Sequence, residues 1–458
     1  MTYPIDLEVD ILAQQPTLNV YTQICLCYPL SGSFSASTSV IDTLKVGLER
    51  LTASFPWVAG QIVNEGAYEG NSGTFKIRPL EKFPQLIVKD LTKDSNMPSF
   101  AAMSKAQFPF HMLNENVVAP RNTLPKPFEG NILPVFVVQA NFIDGGLLLT
   151  FVTHHKACDM VGQGSLMFLL SKACYNEPFS DEEILVGNLE RANLIPSLDE
   201  SYQPGSELDF HVVKQSQMPS SSEQDDTVVQ TPECCWDCFL FSAPSLARLK
   251  ALAESNVTDP VRYVSTDDAL TAFIWQSIAR ARKPRLDPVT VTKLGRAVDV
   301  RRYLSVPEIY PGLLQSMSYH PGYTIQQLIE RPLGAVASEL RLLVDPKTSN
   351  LGWRTRALAT FARSLQDKNG FSFAAGIDTT ADLMISSWSK VDIYGLDFNL
   401  GLGNPVSVRR PQFEPVESLI YFLPKKQDGE VVVAISLREE DMKRLKEDTE
   451  FLSYSIKI

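Results

Sequence analysis

Two apolar, β-prone runs constrain this chain more than any other feature. Residues 134–140 and 147–153 read as buried strands, joined through Asp144-Gly145-Gly146, a hairpin-type turn. The second run ends in His154-His155-Lys156-Ala157-Cys158-Asp159-Met160. A helix carrying Leu166, Met167, Leu169 and Leu170 is predicted next, ending near Asn176-Glu177-Pro178. A histidine at the end of a buried strand is held rigidly while its ring faces a cavity. The spacing His155-x-x-x-Asp159 leaves two readings open. His155 is either a site residue with Asp159 anchoring the segment elsewhere, or a turn histidine with Asp159 capping the helix.

Length and charge narrow the function classes. A chain of 458 residues suggests about two or three domains. A formal charge of −11 argues against nucleic acid and anionic membrane surfaces as general partners. No stretch approaches the roughly 18 apolar residues of a membrane span. The start MTYPIDLEVDIL has no basic region followed by an apolar block, so a cytoplasmic protein is expected. Seven scattered cysteines do not suggest a disulfide framework. Cys234-Cys235-Trp236-Asp237-Cys238 holds one Cys-x-x-Cys with no second pair and no nearby histidine, which reads as free cysteines beside a strand. Neighbours on a strand point to opposite faces, so His154 and His155 do not make a metal pair, and no metal site is predicted. His111, His211 and His320 have no partner pattern, and neither a GxSxG elbow nor a GxxxxGK[ST] loop is present.

Taken in order, residues 5–11 alternate as a strand and residues 20–30 follow as another. Ile41, Leu44, Leu48, Leu51 and Phe55 mark one face of a helix that Pro56 stops. Residues 64–130 mix short strands and proline-rich turns without a clear pattern. QSQMPSSSEQDD, 215–226, is polar and reads as part of a surface linker spanning 203–233. Then come a strand at 236–241, a helix at 244–254, and a helix opening on Ser265-Thr266-Asp267-Asp268 and running to a basic end. A strand is predicted at 289–300, helices at 323–343 and 354–367, strands near 383–391, 417–423 and 430–436, and a terminal helix at 439–452.

Several stretches, in this order, resemble the BAHD acyltransferases of the chloramphenicol acetyltransferase superfamily, and most of all fungal trichothecene 3-O-acetyltransferases. They include PWVAGQ (56–61), HHKACDMVGQ (154–163), VSTDDALTAFIWQS (264–277), RAVDVR (296–301), YPGLLQ (310–315) and DFNLGLGNPVSVRRP (397–411), and the resemblance covers essentially the whole chain. It implies an α/β fold of two chloramphenicol acetyltransferase-like domains, each of mixed sheet with flanking helices, and an active-site channel between them. The domains would be 1–202 and 234–458, with a segment near 383–415 packing against the first. The implied activity is coenzyme A-dependent O-acyl transfer. Acetyl would pass from acetyl-CoA, a co-substrate rather than a resident cofactor, to a secondary hydroxyl of a trichothecene-like terpenoid or an alkaloid. The protein would be a monomer.

By matching position, the resemblance makes His155 the general base and pairs Asp159 with Arg301. It assigns Ser386, Ser387 and Trp388 to the acyl site, where a Trp N–H or Ser hydroxyl would donate to the tetrahedral oxyanion. Asp397 and Gly401 belong to a supporting turn away from the histidine, in which Asn399 and Leu400 depart from the family pattern. Asn tolerates positive φ, so the turn can survive. Lys156 also departs, and is expected to point to solvent. His154-His155-x-x-x-Asp159 also resembles the HHxxxDG motif of peptide-synthetase condensation domains, with Met160 in place of glycine. A small-molecule binder of the same fold is the non-catalytic alternative. An acidic protein must gather local positive charge for coenzyme A phosphates. Arg280, Arg282, Lys283 and Arg285 form one candidate cluster and Arg409-Arg410 another, and each can equally be a solvated basic edge.

Overall fold

The computed structural model describes residues 5–30, 35–81, 83–125, 132–213 and 232–458. Two mixed sheets carry the two halves. The first orders its strands 407–409, 21–29, 146–154, 136–143 and 86–90. All neighbours are antiparallel except Leu86–Asp90, which runs parallel to Phe136–Ile143. The second orders them 315–324, 291–299, 383–387, 419–422, 431–438, 234–241 and 456–457. A small three-stranded sheet joins Leu7–Glu8, Thr74–Arg78 and Gln61–Glu65.

The central hairpin forms as the sequence implies. Phe136–Ile143 and Gly146–His154 are buried at every residue, and Gly145 takes φ +74° at the turn, which a side chain disfavours. The Ser35–Ser54 and Met160–Cys174 helices cover one face of this sheet, and a Cβ on Gly47 would lie 2.4 Å from Cys174 Sγ. In the second half the Thr266–Arg282 helix is buried on nearly every face. Its capping box links Ser265 and Asp268, and Trp275 donates its indole N–H to Thr292 Oγ1.

The halves are not separate cores. One hydrophobic cluster runs from Leu149 and Phe151 to Trp388, Phe398 and Val432. Phe151 stacks on Phe398 at 5.2 Å between ring centroids, a contact worth about 0.5–1.5 kcal/mol beyond buried area. The Ser407–Arg409 strand adds to the edge of the first sheet, whereas Leu383–Ser387 lies inside the second.

Several local expectations change. Residues 5–11 form a strand only at Leu7–Glu8, and Ile11–Gln14 bend into a 3-10 helix. The cause is polar: buried Asp10 accepts from Tyr310 OH and the Leu313 N–H, and Gln14 brackets the Phe75 backbone. The stretch 323–343 begins as strand, because Gln315–Thr324 runs on to Thr324, and then divides into Ile325–Glu330 and Leu333–Leu342. Pro332 forbids a continuous helix there. The 439–452 helix likewise divides, into Glu439–Leu445 and Thr449–Leu452. Of the expected linker, 214–231 lies outside the described residues. Residues 203–206 are exposed, whereas Leu208 and His211 pack inward and Val212 bridges Phe371.

Candidate active site

The Gly146–His154 strand is flanked on both sides, which fixes where the chain leaves the sheet. His154 turns inward. Its Nδ1 accepts from the Lys156 backbone N–H, its Nε2 meets Asn19 Oδ1 at 3.2 Å, and its ring meets Tyr21 edge-on. His155 faces a cavity of about 160 Å³ between the halves, lined also by Val20, Thr22, Met317, Met384 and Tyr421.

His155 Nδ1 lies 3.0 Å from the Cys158 carbonyl oxygen. A carbonyl only accepts, so Nδ1 carries the proton and Nε2 holds the lone pair. Nε2 has no hydrogen-bond partner among the described residues. Burial holds the imidazole below its ordinary pKa. Arg410 and Lys156 push the same way, and the Cys158 carbonyl and Asp159 oppose them. The ring is a neutral proton acceptor at neutral pH.

Asp159 makes its hydrogen bonds to the loop and reaches the ring only through space. Oδ1 accepts from the Gly162 N–H at 2.7 Å, capping the Met160–Cys174 helix, and Oδ2 accepts from the Leu314 N–H at 2.7 Å. Arg301 grips both oxygens at 3.0 Å in a bidentate pair. The remaining Arg301 N–H groups donate to Asp299 and to the carbonyls of Tyr310 and Gly312. Burial opposes its charge, yet Asp159 and Asp299 hold the guanidinium above its usual range. The approach is close enough that a Cβ on Gly162 would sit 2.3 Å from the Pro311 carbonyl oxygen.

A second clamp grips the same loop from the other side, and nothing in the sequence pattern pointed to it. Arg191 donates to the Ala157 carbonyl at 2.6 Å, lies 4.1 Å from the Trp57 ring centroid, and is 3.8 Å from buried Asp10. Burial raises the Asp10 carboxyl to about 6, with Arg191 opposing. The Cys158 carbonyl that selects the His155 tautomer therefore sits between two anchored neighbours. Arg191→Met should mix the two tautomers, seen as a changed ¹⁵N imidazole pattern for His155, and should lower kcat more than it raises KM. Arg191→Lys should keep most of the wild-type pattern. An unchanged pattern in the Met variant would remove Arg191 from this role.

Lys156 corrects an expectation, since it is fully buried rather than solvent-facing. Its Nζ donates to the Ala13 and Gln15 carbonyls at 3.0 and 2.6 Å and sits 3.7 Å from the Phe75 ring centroid. Burial pulls its pKa down to about 7.

Strand alternation separates the two serines beside the cavity. Ser386 lines the His155 cavity and accepts from Trp388 Nε1 at 3.0 Å. Ser387 faces a second, larger cavity of about 550 Å³ and donates to Asp267 at 2.6 Å. The two cavities share Ala297. The expected trio thus reduces to one free donor. The Trp388 N–H and the Ser387 hydroxyl are already engaged, and the Ser386 proton is left for the cavity.

Comparison with known proteins decides the family. Residues 20–174 match the Trichothecene 3-O-acetyltransferase-like N-terminal domain. The chain is 52% identical to the O-acetyltransferase dmxR13 of Cryptosporiopsis sp. (strain 8999), over 99% of this chain and 98% of that protein. It is 47% identical to trichothecene 3-O-acetyltransferase TRI101 of Fusarium sporotrichioides, over 98% and 96%. The chain belongs to the trichothecene 3-O-acetyltransferase family. The crystal structure of F. graminearum TRI101 complexed with coenzyme A and T-2 mycotoxin superposes with a TM-score of 0.92 at 44% identity, covering all of both chains.

In this family member most of the two basic runs is already engaged by protein groups. Arg280 pairs with Asp448 and Glu450, and Arg285 with Asp441 and Glu417. Arg282 is buried, bonds the Ala381 carbonyl and Ser418, and lies 3.5 Å from Asp441. Lys283 is exposed but borders neither cavity. Arg409 caps the carbonyls of Phe108, Gln107 and Val408, and Arg410 is turned into the His155 cavity. Asp397 and Gly401 lie outside both cavities. Asp397 accepts from the Asn399 N–H, and Asn399, at φ +56°, donates its amide to the Cys174 carbonyl.

Proposed function

We propose that this protein acetylates a hydroxyl of a fungal secondary metabolite at the expense of acetyl-CoA, with His155 Nε2 as the general base. The observation that carries this reading is the Nδ1 contact with the Cys158 carbonyl, which leaves a neutral, unshared Nε2 facing a mostly apolar cavity. The acceptor O–H donates to Nε2 as its oxygen attacks the thioester carbonyl. The Ser386 hydroxyl, oriented by Trp388, donates to the oxyanion of the tetrahedral intermediate. The imidazolium then returns its proton to the departing thiolate, giving ester and free coenzyme A. Asp159 and Arg301 position the loop and take no proton. The name of the relative TRI101, a trichothecene 3-O-acetyltransferase, and the TRI101 complex with T-2 mycotoxin support an alcohol of that class as acceptor. Free thiol released from acetyl-CoA across a panel of terpenoid, alkaloid and polyketide alcohols tests the reading. A chain that releases none would be a binder only.

Acetyl-CoA enters, in this reading, through the larger cavity, with the thioester reaching His155 past Ala297. Its walls include Arg296, Arg302, Arg341 and Lys390. Arg296 and Arg341 are tied to Asp267 and Asp268, so exposed Arg302 and Lys390 carry the available charge. Reversing both to Glu should raise the acetyl-CoA KM about fivefold to tenfold, on the scale of about 0.5–0.7 kcal/mol for each of two exposed charge contacts, with kcat nearly unchanged. Arg282→Gln should instead lower Tm. A KM that ignores Arg302 and Lys390 would place the phosphates elsewhere.

A further inference from the structure

We propose that Arg410 recognises a hydrogen-bond-accepting oxygen on the acceptor alcohol, so that the enzyme selects acceptors bearing a carbonyl or anionic oxygen near the reacting hydroxyl. This rests on the acceptor occupying the His155 cavity. Arg410 lines that cavity and is 2% exposed. Among the described residues it makes one hydrogen bond, from Nη2 to Thr123 Oγ1 at 3.0 Å, and its buried Nε has no partner. A guanidinium carries five N–H donors and normally engages most of them when taken out of water.

The surroundings hold this group in place without satisfying it. Its central carbon lies 4.3, 4.9 and 5.6 Å from the ring centroids of Phe413, Tyr421 and Trp388. Aromatic faces stabilise the cation and keep the plane upright, but offer no acceptor atoms. Tyr421 and Glu115 act on it through space: among the described residues Arg410 makes no hydrogen bond to either, and Glu115 Oε2 is bonded to Gln23 and to the Thr123 N–H. Arg301, Arg296 and Arg282 are also buried, and each meets a carboxylate at 3.5 Å or less. Arg410 differs from them in facing a cavity with donors unengaged. A ligand oxygen completes the set.

The shared chemistry is an oxygen lone pair, supplied by a neutral carbonyl or by a carboxylate or phenolate. Binding of three probes of nearly equal size separates these sources: 2-ethylnaphthalene, 2-acetylnaphthalene and 2-naphthoate, titrated calorimetrically into the whole protein. At least one oxygen-bearing probe should bind about tenfold or more tightly than the hydrocarbon. Arg410→Met should bring the three within about twofold of one another. Arg410→Gln, which keeps donors without charge, should retain a preference for the ketone if the source is neutral. Arg410→Lys should retain a preference for naphthoate if it is anionic. Near-wild-type Tm in any one of these variants makes its binding interpretable. His155→Ala should lose acetyl transfer yet keep the wild-type order of preference among the three probes, so failed acetyl transfer and failed recognition are told apart. Equal binding of the three probes to wild type, no binding of any, or a preference that persists in Arg410→Met would overturn the proposal.

Discussion

His155→Ala should lower kcat for acetyl transfer by about 10²–10⁴-fold, the range for a positioned acid–base group, and leave both substrates bound. The acid limb of the pH profile should disappear with it. Catalysis needs the neutral ring, and burial holds the wild-type pKa below its ordinary value. Wild-type kcat/KM should therefore persist below pH about 6.5, the ordinary imidazole pKa, and fall only as pH drops through the depressed value. His154→Ala should act differently. That ring is fully buried and bonded on both nitrogens, so its removal should lower Tm more than kcat in the folded fraction. Thiol-release kinetics across pH, with Tm measured on the same samples, decide between the two. A larger loss of kcat from His154 would transfer the base to that residue.

Asp159→Ala should be the most destabilising single change in the loop. It takes the bidentate carboxylate from a fully buried Arg301, leaving it Asp299 and two carbonyls, and leaves the Gly162 and Leu314 N–H groups without their acceptor. Removing one partner of a buried pair costs about 3–5 kcal/mol. Arg301→Ala should cost a similar amount, and the double variant should cost much less than the sum. Urea unfolding of all four proteins gives the coupling, and additive losses would show that the two side chains do not act as a pair. Activity should fall with stability, because the Cys158 carbonyl loses one of its two anchors.

The strand, the two histidines and the capped helix were legible because each depends on neighbours in sequence. Hydrophobic runs, a Gly-containing turn and a capping Asp leave local marks. Arg301 was legible only through family resemblance, being 142 residues from its partner. Arg191, Asp10 and Lys156 carry no such mark, since isolated charged residues look solvated until tertiary structure buries them. The 280–285 run misled for the same reason: the acids that neutralise it, Glu417, Asp441 and Asp448, arrive from more than a hundred residues away. Ser386 and Ser387 could not be told apart without strand register. Pro332 is visible in the sequence, yet 323–343 presents the pattern of one helix around it.

The Ser407–Arg409 strand closes the edge of a sheet whose other members lie between residues 21 and 154. During synthesis, the ribosome must add some 250 further residues after His154 before that strand exists, about 12–50 s at ordinary elongation rates. Until then Tyr21–Pro29 presents an open hydrogen-bonding edge, and the loop bearing His155 waits for Arg301 as well. An open edge beside a sheet this apolar invites pairing with other nascent chains. Co-expressed chaperones should therefore raise the yield of this protein in a foreign host, and splitting the gene between its halves should leave that edge exposed.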